Sequence, residues 1–411
     1  MKYGLIGERL SHSFSKEIHE ALGGYEYEIC EIERDALDAF MKKREFTAIN
    51  VTIPYKEAVI PYLDFVSDKA RAIGAVNTIV NRGGRLCGYN TDFSGMTDLI
   101  NKAEIEIKGK KALILGTGGT SKTALAVLTS LGAREIHLVS RSEKDGAITY
   151  DEAYEKHSDA EVIVNTTPIG MYPHIDGDPI DLNRFGSLSG VVDAIYNPLR
   201  TRFVQAAKAM GAKAEGGLYM LVAQGVRASE IFLGSEYPEG TTERLYNKIM
   251  RSKENIVLSG MPASGKTTVG KLVSERLGRP FIDLDTEIVK YAGKSIPEIF
   301  AEGGESLFRD VETEVIRKTA PVSGAVIAMG GGAVLRDENV RLLSQNGRIY
   351  FLDRPLEMLM PTEDRPLAST VESITKRYNE RYERYLSTAD VRIENGGSAE
   401  EAAEKIPGDF I

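Results

Sequence analysis

Two glycine-rich segments suited to different chemistry lie in one chain of 411 residues. Gly116-Thr117-Gly118-Gly119-Thr120 follows the apolar run Ala112–Leu115 and opens a helical stretch. Glycines at that spacing let the backbone approach a dinucleotide pyrophosphate and seat it on a helix N-terminus. Gly260-Met261-Pro262-Ala263-Ser264-Gly265-Lys266-Thr267 follows the apolar run Asn255–Leu258 and fills every position of the Walker A pattern. In such a loop the backbone N–H groups wrap a phosphate chain, the lysine reaches the β- and γ-phosphates, and the Thr267 hydroxyl offers a ligand to Mg²⁺. The first segment implies redox chemistry and the second phosphoryl transfer, so the chain reads as two enzymes in one polypeptide.

Both loops need a parallel sheet to hold them. From Met1 to about Ala103, short strands (Tyr3–Gly7, Tyr25–Ile32, Ala48–Ile53) alternate with helices (Ser15–Leu22, Arg34–Lys43), and Asn77–Tyr89 reads as a hairpin turning at Gly83-Gly84. A second unit has strands Ala112–Leu115, Glu135–Val139, Glu161–Asn165 and Val191–Ala194, with helices after the glycine turn and at Arg202–Met210. Strands and helices alternating at this spacing predict a doubly covered parallel sheet. A helical region, Gly217–Phe232, is expected to return toward the first unit. The expected organisation is therefore α/β throughout: a substrate lobe at 1–103 completed by about 224–250, a Rossmann-like lobe at 104–223, and a P-loop unit at 254–411.

Composition narrows the partners. A net charge of −9 argues against nucleic acid or an anionic membrane, and no apolar stretch approaches the roughly 18 residues of a span. The two cysteines, Cys30 and Cys87, read as ordinary reduced side chains. The histidines, at 12, 19, 137, 157 and 174, show no spacing typical of zinc. The expectation is a soluble cytoplasmic enzyme acting on small molecules.

Six motifs then occur in order: Ser11-His12-Ser13-Phe14-Ser15, Asn50-Val51-Thr52-Ile53-Pro54-Tyr55-Lys56, Gly74-Ala75-Val76-Asn77-Thr78, Gly88-Tyr89-Asn90-Thr91-Asp92, Asn165-Thr166-Thr167-Pro168-Ile169-Gly170-Met171 and Gly217-Leu218-Tyr219-Met220-Leu221-Val222-Ala223-Gln224. Together they resemble the shikimate dehydrogenase family across about its whole length. The residue types suit a polyhydroxy carboxylate: Ser13 and Ser15 can donate to a carboxylate, and Asn50, Thr52, Asn77 and Gln224 can pair with ring hydroxyls. The resemblance makes Lys56 and Asp92 the catalytic pair. An ammonium there can protonate or stabilise a forming alkoxide while the carboxylate positions it. It also implies cofactor contacts from Gly116, Gly118, Gly119, Thr120, Thr166, Gly217 and Met220. Cofactor choice is read at the end of the next strand, Val139-Ser140-Arg141-Ser142, where an NAD enzyme carries an acid. Arg141, flanked by Ser140 and Ser142, instead suits the 2′-phosphate of NADP(H), although Glu143 follows directly.

Beyond the second loop, Asp283-Leu284-Asp285, Phe308-Arg309, Gly330-Gly331-Gly332-Ala333-Val334 and Arg365-Pro366-Leu367 occur in an order that resembles the shikimate kinase family over Glu254 to about Ile406. The resemblance implies ATP held by Gly260, Gly265, Lys266, Thr267 and Thr268, and Mg²⁺ held by Thr267 and, through water, Asp283. Asp285 would bind the attacking hydroxyl and act as its base. Arg309 and Arg381 would pair with the substrate carboxylate, Gly330 to Gly332 would let the backbone approach the ring, and Arg365 would be the lid arginine. Where the family has Arg-x-Pro-x-Tyr this chain has Arg381-Tyr382-Glu383-Arg384-Tyr385, and its lid segment, Leu356 to Thr370, lacks glycine.

The two resemblances meet in one metabolite. The expected activity is reduction of 3-dehydroshikimate to shikimate with NADPH, followed by phosphorylation of shikimate with MgATP. An NAD-using quinate/shikimate dehydrogenase is disfavoured by the missing acid after Val139. A non-catalytic sensor is disfavoured because a pure binder has no need of Lys56, Asp92, Lys266, Thr267, Asp283 and Asp285 together.

Overall fold

The run Lys111–Leu115 is buried at all five positions, as a strand covered on both faces must be. Leu113 and Leu115 pack on one side with Ile163, Val191 and Phe203. Ala112 and Ile114 pack on the other with Val164, Val192, Met96 and Leu99. This two-residue alternation into two cores fixes the register of the sheet. The computed structural model describes residues 1–10, 13–142, 146–359 and 370–406. The chain divides into two compact units, Met1–Ile249 and Met250–Ile411.

In the first unit, the elements up to Lys102 are β1 (Tyr3–Gly7), α1 (Ser15–Leu22), β2 (Glu28–Glu31), α2 (Leu37–Lys43), β3 (Ala48–Val51), β4 (Phe65–Val66), α3 (Asp68–Ile73), β5 (Thr78–Arg82), β6 (Arg85–Tyr89) and α4 (Asp92–Lys102). The strands form one sheet in the order β2-β1-β3-β5-β6-β4. Next come β7 (Lys111–Leu115), α5 (Gly119–Ser130), β8 (Glu135–Val139), β9 (Ala147–Ile148), α6 (Tyr150–Lys156), β10 (Val162–Asn165), β11 (Gly190–Asp193), α7 (Arg202–Ala209), β12 (Lys213–Glu215), α8 (Leu218–Leu233) and α9 (Thr241–Lys253). Their sheet, β12-β11-β10-β7-β8-β9, is parallel throughout. Its order reverses between β10 and β8 at β7, and the glycine turn follows β7 at that switch point, where open α/β sheets bind ligands. Helix α8 lies against both α4 and α1. The α4 contact requires Gly95, because a Cβ there would stand 2.7 Å from the Met220 carbonyl oxygen.

The second unit contains β13 (Asn255–Ser259), α10 (Lys266–Leu277), β14 (Phe281–Asp283), α11 (Leu284–Ala292), α12 (Ile296–Thr319), β15 (Val326–Ala328), α13 (Asp337–Asn346), β16 (Gly347–Asp353), α14 (Val371–Thr388), β17 (Val391–Glu394) and α15 (Ala399–Lys405). Its parallel sheet runs β14-β15-β13-β16-β17, with Ile256, Leu258, Val326, Tyr350 and Leu352 in the core.

Several expected boundaries shift. The strand read at Tyr25–Ile32 is limited to Glu28–Glu31, the stretch that pairs with Gly4–Gly7 of β1. The helix read from Arg34 begins at Leu37. Strands β4, β9 and β12 escaped the pattern reading: each has only two or three residues and lies at a sheet edge, too short for periodicity to register. Asp285 lies in the first turn of α11. Among the described residues, no helix is long and apolar enough to cross a membrane.

Candidate active sites

Lys56 and Asp92 meet from separate elements. Lys56 lies after β3, where its carbonyl accepts from the Val76 N–H at 2.8 Å, and Asp92 is the first residue of α4. The Lys56 ammonium donates to Asp92 Oδ2 at 2.7 Å, with the two side chains 14% and 8% exposed. The pair stands beside the glycine turn, since a Cβ on Gly119 would lie 3.8 Å from Lys56 Cδ.

Next to it lies a buried amide and hydroxyl network. Asn77 Nδ2 donates to Thr91 Oγ1 at 3.0 Å, and Asn77 Oδ1 accepts from the Thr91 N–H at 2.8 Å. Gln224 Oε1, from α8, is 3.4 Å from Thr91 Oγ1 and 3.5 Å from Asn77 Nδ2. Asn50 Nδ2 donates to the Asn77 carbonyl and to Thr78 Oγ1, while its Oδ1 accepts from the Tyr27 hydroxyl at 2.7 Å. The Tyr27 ring stacks on His19 of α1, with centroids 4.1 Å apart. His19 is fully buried, and burial depresses its imidazole to about 3, so it is neutral. Ser13 and Ser15 open α1, where the Ser15 N–H donates to Ser13 Oγ at 3.2 Å. Thr52 follows β3, its N–H donating to the Ile6 carbonyl. Ser11 and His12 lie outside the described residues. Thr91 is the member the sequence reading missed, although it sits inside a quoted motif next to Asp92.

The dinucleotide turn is shaped by close approach. Gly116 has φ +107°, and a Cβ on it would meet Thr166 Oγ1 at 2.9 Å. Thr166 Oγ1 donates to the Leu115 carbonyl at 2.6 Å, and the Gly116 N–H to the Val139 carbonyl at 2.9 Å. These bonds bring the Thr166 loop and the Ser140-Arg141-Ser142 segment to the turn. Ser140 is buried, Arg141 is exposed, and Ser140 Oγ accepts from the Ser142 N–H at 3.4 Å. Gly118 caps α5, which begins at Gly119 and Thr120. Gly217 precedes α8 under the Ala194 carbonyl, which a Cβ would strike. Glu143 lies outside the described residues. Below the Thr166 loop, buried Asp193 accepts from Asn165, Thr201 and the Ile195 N–H. Burial pushes its carboxyl up to about 7 against those bonds. Asn165 passes the order on, its Oδ1 accepting from the Thr167 N–H and hydroxyl.

In the second unit, the P-loop turns through Gly260 (φ +144°), Ala263 (φ +64°) and Gly265 (φ +88°) into α10. A Cβ on Gly260 would stand 2.9 Å from the Leu352 carbonyl oxygen. Lys266 Nζ donates to the carbonyls of Gly260 and Met261 at 2.9 and 2.8 Å. Thr267 Oγ1 donates to Asp283 Oδ2 at 2.7 Å, and the other Asp283 oxygen caps α11 through the Asp285 and Thr286 N–H groups. Thr268 continues the first turn of α10. A buried Ser264 hydroxyl without a partner among the described residues lines the loop. The Ser264 carbonyl accepts from Asn395 at 2.7 Å.

Gly330, Gly331 and Gly332 connect this loop to an acid and arginine cluster. A Cβ on Gly330 would meet Glu312 Oε1 at 2.6 Å and Asp285 Oδ1 at 3.2 Å; on Gly331 it would meet Pro262, and on Gly332 the Arg309 guanidinium. Arg309 donates to Glu312 and Glu305, each at 2.8 Å. Arg381 donates to the Gly331 carbonyl at 3.2 Å, and the buried Tyr385 hydroxyl donates to the same oxygen. Of the neighbouring arginines, Arg384 is engaged with Val334 and Asp337. With Glu383 in place of proline, α14 runs unbroken through this segment. Glu312 is fully buried, and its Oε1 has no partner among the described residues. Burial holds its carboxyl above the usual range, Arg309 opposing and Asp285 reinforcing. The sequence reading missed Glu312 and Tyr385. The signal for the first was an opposite charge three residues after Arg309 on a helix. Arg365 and most of the expected lid lie outside the described residues.

A parallel sheet with a dinucleotide turn beside a lysine–carboxylate pair defines a dehydrogenase, and a P-loop sheet beside an acid–arginine cluster defines a small-molecule kinase. Comparison with known proteins supplies the families. The description "Shikimate dehydrogenase substrate binding domain" matches residues 5–79, and "Shikimate kinase" matches residues 262–408. The shikimate dehydrogenase (NADP(+)) of Clostridium beijerinckii is 40% identical over 262 residues, covering 60% of this chain and 96% of that protein. The crystal structure of shikimate dehydrogenase 1 from Peptoclostridium difficile superposes with a TM-score of 0.57 at 37% identity, covering 61% of this chain and 98% of that one. Shikimate 5-dehydrogenase of Thermus thermophilus, solved in complex with NADP(H) and shikimate, gives a TM-score of 0.54 at 32% identity, covering 60% of this chain and 99% of that one. The chain belongs to the shikimate dehydrogenase family and carries a shikimate kinase domain after it, making it a bifunctional shikimate-pathway enzyme.

Proposed function

We propose that the first unit reduces 3-dehydroshikimate to shikimate with NADPH, and that the second transfers phosphate from MgATP to that shikimate, giving shikimate 3-phosphate. The carrying observation is the Lys56–Asp92 pair at 2.7 Å beside the glycine turn. It supports this reading because an ammonium beside the glycine turn and the amide network is suited to donate a proton there. The cradles fit both nucleotides: a side chain at Gly116 would collide with the Thr166 loop, and one at Gly260 with Ser264 and the Leu352 carbonyl of β16. When bound, NADPH supplies the hydride and MgATP the phosphoryl group. This chain's residues do the rest. Lys56 protonates the carbonyl oxygen, Asp92 orients the ammonium, and Asn50, Asn77, Thr91 and Gln224 hold ring hydroxyls. Ser13, Ser15 and Thr52 complete the carboxylate and ring contacts. In the kinase, Thr267 and Asp283 would hold Mg²⁺, Lys266 balances phosphate charge, and Arg309 and Arg381 clamp the carboxylate. Asp285 accepts the proton of the attacking hydroxyl.

The test supplies 3-dehydroshikimate with NADPH and MgATP and omits each in turn. Shikimate should accumulate without ATP, and neither product should form without NADPH. Formation of shikimate 3-phosphate without NADPH would refute the order of steps. Cofactor choice has its own test. Arg141→Ala should raise the KM for NADPH by about 10–100-fold, the loss expected for one charge-assisted contact, and leave the KM for NADH nearly unchanged. Equal losses with both would remove Arg141 from the 2′-phosphate.

A further inference from the structure

Glu135 and His137 lie two residues apart on β8, so both side chains project from one face of the strand. His157 immediately follows α6. The fold brings these three together although their spacing gives no hint of it. His137 Nε2 is 2.7 Å from Glu135 Oε1, His157 Nδ1 is 3.9 Å from the same oxygen, and the imidazole centroids are 3.8 Å apart. One ligand atom from each lies within 4.8 Å of the others. His157 Nδ1 is buried and has no hydrogen-bond partner among the described residues. The cluster occupies the start of β8, whereas the dinucleotide turn follows the far end of the adjacent β7, which pairs with β8 in register from Lys111↔Glu135 to Leu115↔Val139. From that end of the strand Glu135 is four residues away and His137 two, about 13 and 7 Å, and the proposed reactions use none of these three side chains.

We propose that Glu135, His137 and His157 form a binding site for one late first-row divalent cation of the Zn²⁺ class. Two imidazoles and one carboxylate are a donor set that favours such ions over Mg²⁺ or Ca²⁺, which take oxygen ligands. Three protein ligands leave room for water, and the partial exposure of Glu135 and His137, 40% and 24%, gives access. The opposing charge is Lys111, 3.6 Å from Glu135 Oε1. Its shorter contact is to Asp159, at 2.8 Å, and Glu152 is paired with Lys156 at 2.9 Å. Lys111 therefore weakens the site, although its ammonium is drawn toward Asp159. A bound ion would tie the end of α6 to β8. Between those elements runs the chain that carries Ser140 and Arg141, anchored by the Ser140 N–H to the Ile148 carbonyl at 2.9 Å. The ion would thus brace the ribose-phosphate segment from outside the cofactor site.

The test titrates Co²⁺, then Zn²⁺ in competition, into the metal-free full-length protein and follows the visible d–d absorption of bound cobalt. One equivalent should bind at about 10 µM or tighter, with the absorption of a low-symmetry four- or five-coordinate site, and Zn²⁺ should displace it. The double variant His137→Gln/His157→Gln should lose at least about 100-fold in affinity, while Asp283→Asn in the second unit should keep the band. Lys111→Met should tighten binding by removing the like charge. No saturable band up to about 1 mM, a band that survives the double variant, or affinity lowered in Lys111→Met would each overturn the proposal.

Discussion

Lys56→Ala should lower dehydrogenase kcat by about 10²–10⁴-fold, the range for loss of a positioned general acid, with only a few-fold change in the KM for 3-dehydroshikimate. The asymmetry follows from where the ammonium acts. The ground-state ketone carries little charge for it to stabilise, whereas the oxygen receiving electrons in the transition state carries much more. The network of Asn77, Thr91 and Gln224, which would hold the ring hydroxyls, has its own hydrogen bonds independent of Lys56. The variant also leaves Asp92 as an 8% exposed carboxylate without its ammonium, and unpairing a buried charge costs about 3–5 kcal/mol. A thermal shift is therefore expected as well, and kcat must be measured well below the new midpoint. Kinase turnover on added shikimate serves as the internal control and should be unchanged. A dehydrogenase kcat within a few-fold of the parent would make Lys56 a binding residue.

The sequence declared its backbone-defined sites far better than its side-chain clusters. Gly116 and Gly260 were legible because only glycine tolerates φ of +107° and +144° in such close quarters, against Thr166 at the first and against Ser264 and the Leu352 carbonyl at the second. Motif order placed Lys56 beside Asp92, 36 residues apart, because the resemblance supplied a tertiary contact that spacing cannot. Glu312 was weakly signalled for the opposite reason: an acidic residue three positions after an arginine on a helix normally reads as a solvated surface pair, and only the fold shows it fully buried against Arg309 and Gly330. Tyr385 carries no signal in the sequence, since its bond to the Gly331 carbonyl joins α14 to a loop 54 residues earlier. Glu135, His137 and His157 form the extreme case. No two-histidine spacing pointed to them, and their meeting depends on β9 and α6 folding the chain back beside β8.

Asp285→Asn should remove most kinase turnover while leaving the dehydrogenase at its full rate. The substitution keeps the side chain's shape at the start of α11, and the Asp283 cap uses the residue 285 backbone N–H rather than its side chain, so the local fold should persist. What is lost is the acceptor for the hydroxyl proton, about 10²-fold or more in kcat. Its charge is lost too: Asp285 helps hold the Glu312 carboxyl above its ordinary range, so the variant should let Glu312 ionise more readily beside Arg309. That strengthens the Arg309–Glu312 pair, which would compete with the substrate carboxylate for the guanidinium, and a moderate rise in the KM for shikimate is expected alongside the fall in kcat. The coupled reaction separates these effects from general damage. With 3-dehydroshikimate, NADPH and MgATP present, NADPH oxidation should proceed at the parental rate, ADP release should nearly stop, and shikimate should accumulate. Adding shikimate to saturation restores a KM defect and leaves a kcat defect in place. If saturation returned ADP release to within a few-fold of the parent, Asp285 would be a substrate-positioning residue, and the proton of the attacking hydroxyl would have to leave by another route.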